Sequence, residues 1–323
     1  LKPTLAAMLH RISFLRWTGI FRRAYYRYRR DTFRADRHET IQRVEVLMGA
    51  AVFLPRRVFE ASGRWDERYR FGGEATGCPA ATGCGRIIAG SNRVWESVTG
   101  GVGGAWIPVS EVLTKPNSPL LDRAFINQVA YAINTPTVAM AGTNDGNVWL
   151  GFNLGLNTAG TARWKNLTLG NALLPNRFVL DVATDPLDPQ IGYAVMAGFD
   201  QNTPSTPGHV FQVKCVSDCS QDAHVTWRNV SGNLPNIPVN SVIVNPHRPT
   251  QVFAGSDWGL YYTDNVEANP VVWQKHAGLP NVMIWDMTID RGFTTLAVWT
   301  RSRGAWVWPL PTGEGPLFSN GFE

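Results

Sequence analysis

No apolar run approaches the roughly 18 residues that a membrane-spanning helix needs, and the longest, residues 46–54, is about half that length. Charge is scarce as well, at 17% of residues against 44% hydrophobic, which excludes a disordered chain. No cluster with metal-ligand spacing, no nucleophile elbow and no phosphate-binding loop is present, so neither a metal nor a cofactor is expected. Nothing matches a nucleic-acid-binding module. What is abundant is Gly (31), Pro (21) and Trp (13), a turn-rich and aromatic-rich balance that favours many short strands over long helices. The 323 residues suffice for one large or two medium domains. The sequence begins at Leu1 with no charged-then-apolar leader, so it reads as a fragment in which a missing leader carries no information.

Charge divides the chain. Residues 1–74 carry 16 Lys+Arg and 8 Asp+Glu, a net of +8; the remainder carries 30−16 = 14 basic and 25−8 = 17 acidic residues, a net of −3. The small-residue stretch from Cys78 to Cys84 marks the seam. The expected organisation is residues 1–74 as a small α-rich segment, 75–84 as a linker, 85–311 as a β domain and 312–323 as a tail.

Within the first segment, residues 5–28 have helical spacing with Arg interleaved. Arg22, Arg23, Arg27, Arg29, Arg30, Arg34 and Arg37 follow among Tyr25, Tyr26 and Tyr28. Such a face can bind phosphates or anionic lipid head groups, or be an amphipathic helix with a solvated basic side. Further on come Gly49-Ala50, an apolar strand, Arg56-Arg57, Phe59, Gly63-Arg64-Trp65-Asp66-Glu67, Phe71 and Glu74. This order resembles the acceptor-side part of family 2 glycosyltransferases, rhamnosyltransferase-like members above all, which act on the cytoplasmic side. The resemblance implies a Glu-Asp pair whose Asp deprotonates the acceptor hydroxyl. Here Ala75 replaces that Asp, leaving Glu74 as a weak catalytic candidate, and the segment reads as a non-functional transferase remnant or a mis-joined coding piece.

The second segment repeats. Ala89-Gly90, Ala141-Gly142, Ala197-Gly198 and Ala254-Gly255 each end an apolar run, at intervals of 52, 56 and 57 residues. Each is followed by a second apolar run and then a Trp: Trp106, Trp164, Trp227 and Trp273. A shorter fifth unit covers residues 284–308. Asp185-Pro186-Leu187-Asp188-Pro189 and Asn245-Pro246-His247-Arg248-Pro249 are matched turns. Short strands at this period are the pattern of propeller blades, each covering its neighbour. The fold expected is mainly β, a partial or complete β-propeller of about five blades. Its glycines would permit close backbone approach, and its Trp residues would pin the outer edge of each blade between neighbours.

Thr263-Asp264-Asn265 with Trp273 is similar to the Asp-box, and residues 84–310 resemble sortilin-like, sialidase- and xyloglucanase-type propeller repeats. The resemblance implies a glycan- or protein-binding module, with a propeller glycoside hydrolase as the alternative and a glycosyltransferase as a third reading. Hydrolysis would need two carboxylates on one cleft; Asp145, Asp257 and Asp286 lie near strand ends, Asp257 and Asp286 being the weak catalytic candidates, and each also suits turn capping. Trp258, Trp285, Trp299, Arg301 and Arg303 sit beside turns and suit stacking on sugar rings or peptide, or packing between blades. Cys78 with Cys84, and Cys215 with Cys219, form two close pairs that suit disulfides ahead of zinc or free thiols. Together with a tail that resembles the ending of many secreted bacterial proteins, they favour a periplasmic or extracellular address.

Overall fold

The structure, a computed structural model, describes residues 86–99, 106–116, 124–155, 162–290 and 292–310. Chain contacts divide the protein into two units, Leu1–Arg64 and Trp65–Glu323, and all described residues belong to the second. The basic cluster, Glu74, the Cys78/Cys84 pair and the tail lie outside the described residues.

Among the described residues, five antiparallel sheets follow one another, each a meander in which sequence neighbours pair. The first holds β1 (Ile87–Gly90), β2 (Val94–Ser97) and β3 (Ile107–Pro108). The second holds β4 (Ile126–Ala132), β5 (Thr135–Thr143), β6 (Val148–Phe152) and β7 (Arg163–Asn166). The third holds β8 (Val179–Thr184), β9 (Ile191–Met196), β10 (Val210–Cys215) and β11 (Val225–Asn229). The fourth holds β12 (Val239–Asn245), β13 (Arg248–Ser256), β14 (Gly259–Thr263) and β15 (Gln274–Lys275). The fifth holds β16 (Ile284–Ile289), β17 (Thr295–Thr300) and β18 (Ala305–Pro309). The strands β4, β8, β12 and β16, first in their sheets, lie next to one another along the hub. This is the β-propeller arrangement. Among the described residues no helix is long and apolar enough to cross a membrane.

Local chemistry explains the hairpins. The strands are rich in Val, Ile, Thr and Tyr, which suit a pleated, buried surface. In the turn after β8, the Asp185 carboxylate accepts from the N–H groups of Leu187 (2.7 Å) and Asp188 (3.1 Å). In the matched turn after β12, Asn245 Oδ1 accepts from the His247 N–H at 2.9 Å. Both are the side-chain mimicry of a backbone turn that Asp and Asn perform. Cys215, at the end of β10, is bonded to Cys219.

The second strands of the three middle sheets, β5, β9 and β13, are buried on both faces, so their alternate side chains serve different interfaces. On β5, Ala139 and Ala141 pack toward the first sheet, whereas Val138 and Met140 pack toward the third. On β9, Ala194 and Met196 face back and Tyr193 and Val195 face forward. On β13, Val252 and Ala254 face back and Phe253 faces forward. No sheet has a core of its own; every core is shared by two neighbours.

Two repeated contacts close these interfaces. Near the hub, a glycine lets the next sheet approach. A Cβ on Gly90 would lie 2.7 Å from Ile126, one on Gly142 2.5 Å from Val179, and one on Gly255 2.6 Å from Ile284. These partners begin β4, β8 and β16. At the rim, the indole N–H groups of Trp164, Trp227 and Trp273 donate to the carbonyls of Val109, Leu167 and Val230, at 2.8, 2.7 and 2.8 Å. Each acceptor follows the last strand of the preceding sheet, and each lies in its own sheet three residues after that sheet's Trp. The expectation that these Trp residues pin the rim is met.

The third repeat needs a correction in register. Aligned on Ala-Gly, Gly198 matches Gly142 and Gly255. The ladders instead give that place to Val195, which pairs with Asp181 and Val210 as Gly142 pairs with Gln128 and Val148. Gly198 lies beyond the end of β9 with a φ of 76°. Its conformational freedom serves a loop, and sequence spacing alone does not separate the two uses.

A rim test follows. Trp227→Phe keeps most of the packing but leaves the Leu167 carbonyl unpaired, and is expected to cost about 1 kcal/mol. Trp227→Ala adds a cavity between the second and third sheets and is expected to cost about 3–5 kcal/mol. Urea unfolding of both variants provides the check.

Candidate functional site at the hub

The four hub strands share a short pattern: Ile126-Asn127-Gln128-Val129, Val179-Leu180-Asp181-Val182, Val239-Asn240-Ser241-Val242 and Ile284-Trp285-Asp286-Met287. In every one the ladder slips across the second residue, between Ile126 and Gln128, Val179 and Asp181, Val239 and Ser241, and Ile284 and Asp286. A bulge leaves one residue unpaired, bends the strand and re-aims its side chain. Four bulges in register therefore turn the second residue of each pattern, and the third in β4, β8 and β16, toward one place.

That place is a cavity of about 540 Å³. Its wall includes Asn127 and Gln128 from β4, Leu180 and Asp181 from β8, Asn240 from β12, and Trp285 and Asp286 from β16. Asp257, in the hairpin between β13 and β14, completes it with Ala197, Pro238 and Met283.

Hydrogen bonds across this wall stitch the sheets together. Asn127 Nδ2 donates to the Val179 carbonyl at 2.8 Å, and Asn240 Nδ2 donates to the Ile284 carbonyl at 3.1 Å. Leu180 has no amide to do the same, and Asp181 takes over: its Oδ2 accepts from Ser241 Oγ at 2.9 Å and from the Val242 N–H at 2.8 Å. Its Oδ1 accepts from its neighbour's N–H, Val182, at 2.8 Å. Asn240 Nδ2 also donates to Asp257 Oδ1 at 2.9 Å. The Asp286 carboxylate accepts from the Met287 N–H at 2.8 Å.

Charge sits uneasily here. Burial, and then the nearby Asp286 charge, push the Asp181 carboxyl up to about 7, against the lowering effect of Val242, Ser241 and Gln128. Burial also raises Asp286, against its bonds to Met287 and Ser241. Two carboxyls in one poorly hydrated place resist ionising together.

The candidates read from the sequence divide. Asp257, Asp286 and Trp285 come together at the cavity. Trp285 is 60% exposed at its edge, and Arg301 lies over its ring, 6.0 Å from the centroid. The Arg301 N–H also donates to the carbonyl of Met283, at 3.0 Å. Trp258 is 56% exposed beside Asp257 but outside the cavity wall, with Lys275 Nζ 5.8 Å from its ring centroid. Trp299 is half-buried opposite Asp286 in the β16–β17 ladder. Arg303 is exposed in the β17–β18 hairpin. Asp145 is fully buried and holds a turn, accepting from the Lys115 N–H at 2.6 Å and from the Thr143 hydroxyl. Asp264 is tied back to β13, accepting from Gln251 Nε2 at 2.6 Å, with Trp273 buried. Among the described residues no three of His, Cys, Asp or Glu converge to hold a metal ion.

Sequence reasoning missed Asn127, Gln128, Asp181, Asn240 and Ser241. The signal was available: four aliphatic residues, each followed at the second place after it by a polar one and then by Val or Met. It was hidden because alignment on the glycines draws the eye to the second strand of each sheet.

No protein-family model matches the chain, and a comparison with curated proteins finds no match. Among solved structures it is similar to Sqt1 from Chaetomium thermophilum, with 12% identity and a TM-score of 0.49 over 74% of this chain and 56% of that one. It is similar to a GH74 enzyme of Niastella koreensis, with 17% identity and a TM-score of 0.44 over 69% of this chain and 34% of that one. An ancestral GH74 enzyme gives 17% identity and 0.43 over 71% and 28%. The chain spans about half of the first of these and a third or less of the GH74 chains.

The raised Asp181 carboxyl has a measurable sign. The folded state keeps a proton that the unfolded chain releases near 3.8, so this group's contribution to stability is lost as pH rises from about 4 to about 7. At about 1.4 kcal/mol per tenfold change in proton affinity, the loss is at most about 4 kcal/mol. Asp181→Asn is expected to flatten that part of the pH–stability curve relative to wild type, as read from urea midpoints across the range.

Proposed function

We infer that this propeller is a glycan-binding module whose ligand enters the hub cavity. The observation that supports it is the cavity wall: amides from Asn127, Gln128 and Asn240 and carboxylates from Asp257 and Asp286, beside the exposed ring of Trp285. Sugars are recognised by this mixture, with hydroxyls on amide and carboxylate groups and the pyranose face on an aromatic ring. A cavity of about 540 Å³ has the size of small-ligand sites. The module works outside the cytoplasm, a reading supported by the Cys215–Cys219 disulfide. Residues 1–74 are a transferase remnant without activity; sugar transfer from a nucleotide donor by the full chain would overturn that part.

A glycan panel with the full chain tests the main reading. Binding of an oligosaccharide, weakened about tenfold or more in Trp285→Ala, is the expected result. A panel with no binder, or a Trp285→Ala protein that binds as well as wild type, counts against it. So does capture of a peptide at this cavity in place of any sugar.

Glycoside hydrolysis is the second reading, favoured by one observation. Asp257 and Asp286 line the same cavity, and burial holds Asp286 above the ordinary carboxylate range, as a general acid requires. Release of reducing sugar that disappears in Asp286→Asn would establish it, whereas binding with no release leaves the module non-catalytic.

A further inference from the structure

The hub cavity is one-sided in charge. Among the described residues, Asp181, Asp257 and Asp286 line it, and no Lys, Arg or His does. The cation in contact with its edge, Arg301, is exposed and lies against Trp285, outside the wall. There its charge is screened by water, while charges inside the cavity are screened much less. Every other polar side chain in the wall is a neutral amide, Asn127, Gln128 or Asn240. The carboxylates do not converge as metal ligands do. They surround a space of small-ligand size, which suits a cation carried on a larger, hydroxyl-rich molecule.

We propose that the cavity selects a sugar bearing a protonated amine, an unacetylated 2-amino-2-deoxy residue of an oligosaccharide, over its N-acetyl and uronic-acid counterparts. The proposal rests on the glycan reading above and names the ligand class for that same site. An ammonium is a compact charge with three donors. Asp286 and Asp257 are the charged acceptors that meet it. Asp181 makes no direct contact with it, because Ser241, Val242 and Val182 already occupy its oxygens. The amides take the hydroxyls, and the exposed Trp285 ring takes the apolar face of the sugar and adds attraction for the cation. An N-acetyl group brings no charge to offset the three carboxyls. A uronate brings a further negative group beside these carboxyls and is disfavoured.

Titration calorimetry of the full chain tests this with three oligosaccharides of equal length: glucosamine, N-acetylglucosamine and a uronic acid. The glucosamine oligomer is expected to bind at least about tenfold tighter than the N-acetyl oligomer, and the uronate not at all. Asp286→Asn is expected to lower the preference for the glucosamine oligomer over the N-acetyl oligomer to near one, whatever it does to the affinity for either alone. Equal or tighter binding of the N-acetyl oligomer overturns the amine preference and leaves the glycan reading standing. Unchanged selectivity in a folded Asp286→Asn protein also overturns it, and the wild-type comparison stands whether or not that variant folds. Binding of none of the three, with a blank wider glycan panel, removes the glycan reading and this proposal together.

Discussion

The structure depends on how closely one sheet can approach the next at the hub. The first aliphatic residue of a hub strand rests where a Cβ of the preceding sheet would be: Ile126 against Gly90, Val179 against Gly142, Ile284 against Gly255. That contact sets the spacing of the inner ends, and the rim indoles, each bonded to a carbonyl of the preceding sheet, set the outer ends. Between the two, the aliphatic layer of each interface has a fixed thickness to fill. Sheets that are buried on both faces, such as β4–β7 and β8–β11, could not keep their fold apart.

The site is a consequence of the same approach. Where the hub strands come this close, a bulge in each leaves its second residue without a ladder partner and bends the strand there. The bend brings seven side chains from the four hub strands to a common space and stitches neighbouring strands through Asn127, Asp181 and Asn240. The stitching has an electrostatic cost. Asp181 is buried because it replaces an amide at the third interface, and its carboxyl rises toward neutrality as a result. Structural bonding and ligand chemistry thus share the same carboxylates.

Much of the fold was legible in the sequence because the repeated elements are chemically loud. Trp164, Trp227 and Trp273 recur at matched positions, and the stretches from Asp185 and Asn245 read as matched turns. The register of the third sheet was not legible, since Ala197-Gly198 copies the sequence of a strand end while sitting in a loop. Of the site, Asp257, Asp286 and Trp285 were singled out, but only as separate residues near turns. Their convergence depends on bulges, which have no sequence mark beyond a polar residue where an alternating strand would have an apolar one. Asp181 and Asn240 were invisible for that reason. Trp258 and Arg303 look identical in type to Trp285 and Arg301, and only the path of each hairpin separates them.

The close approach at the hub is tested most directly by a double-mutant cycle on Gly142 and Val179. If the two sheets meet there, Gly142→Ala is destabilising by about 1–3 kcal/mol in the wild-type background. Truncating Val179 to Ala makes room, so the same glycine substitution in that background is expected to cost at least about 1 kcal/mol less. Costs that simply add across the two backgrounds would contradict sheet-on-sheet contact at this point, and with it the arrangement of the hub.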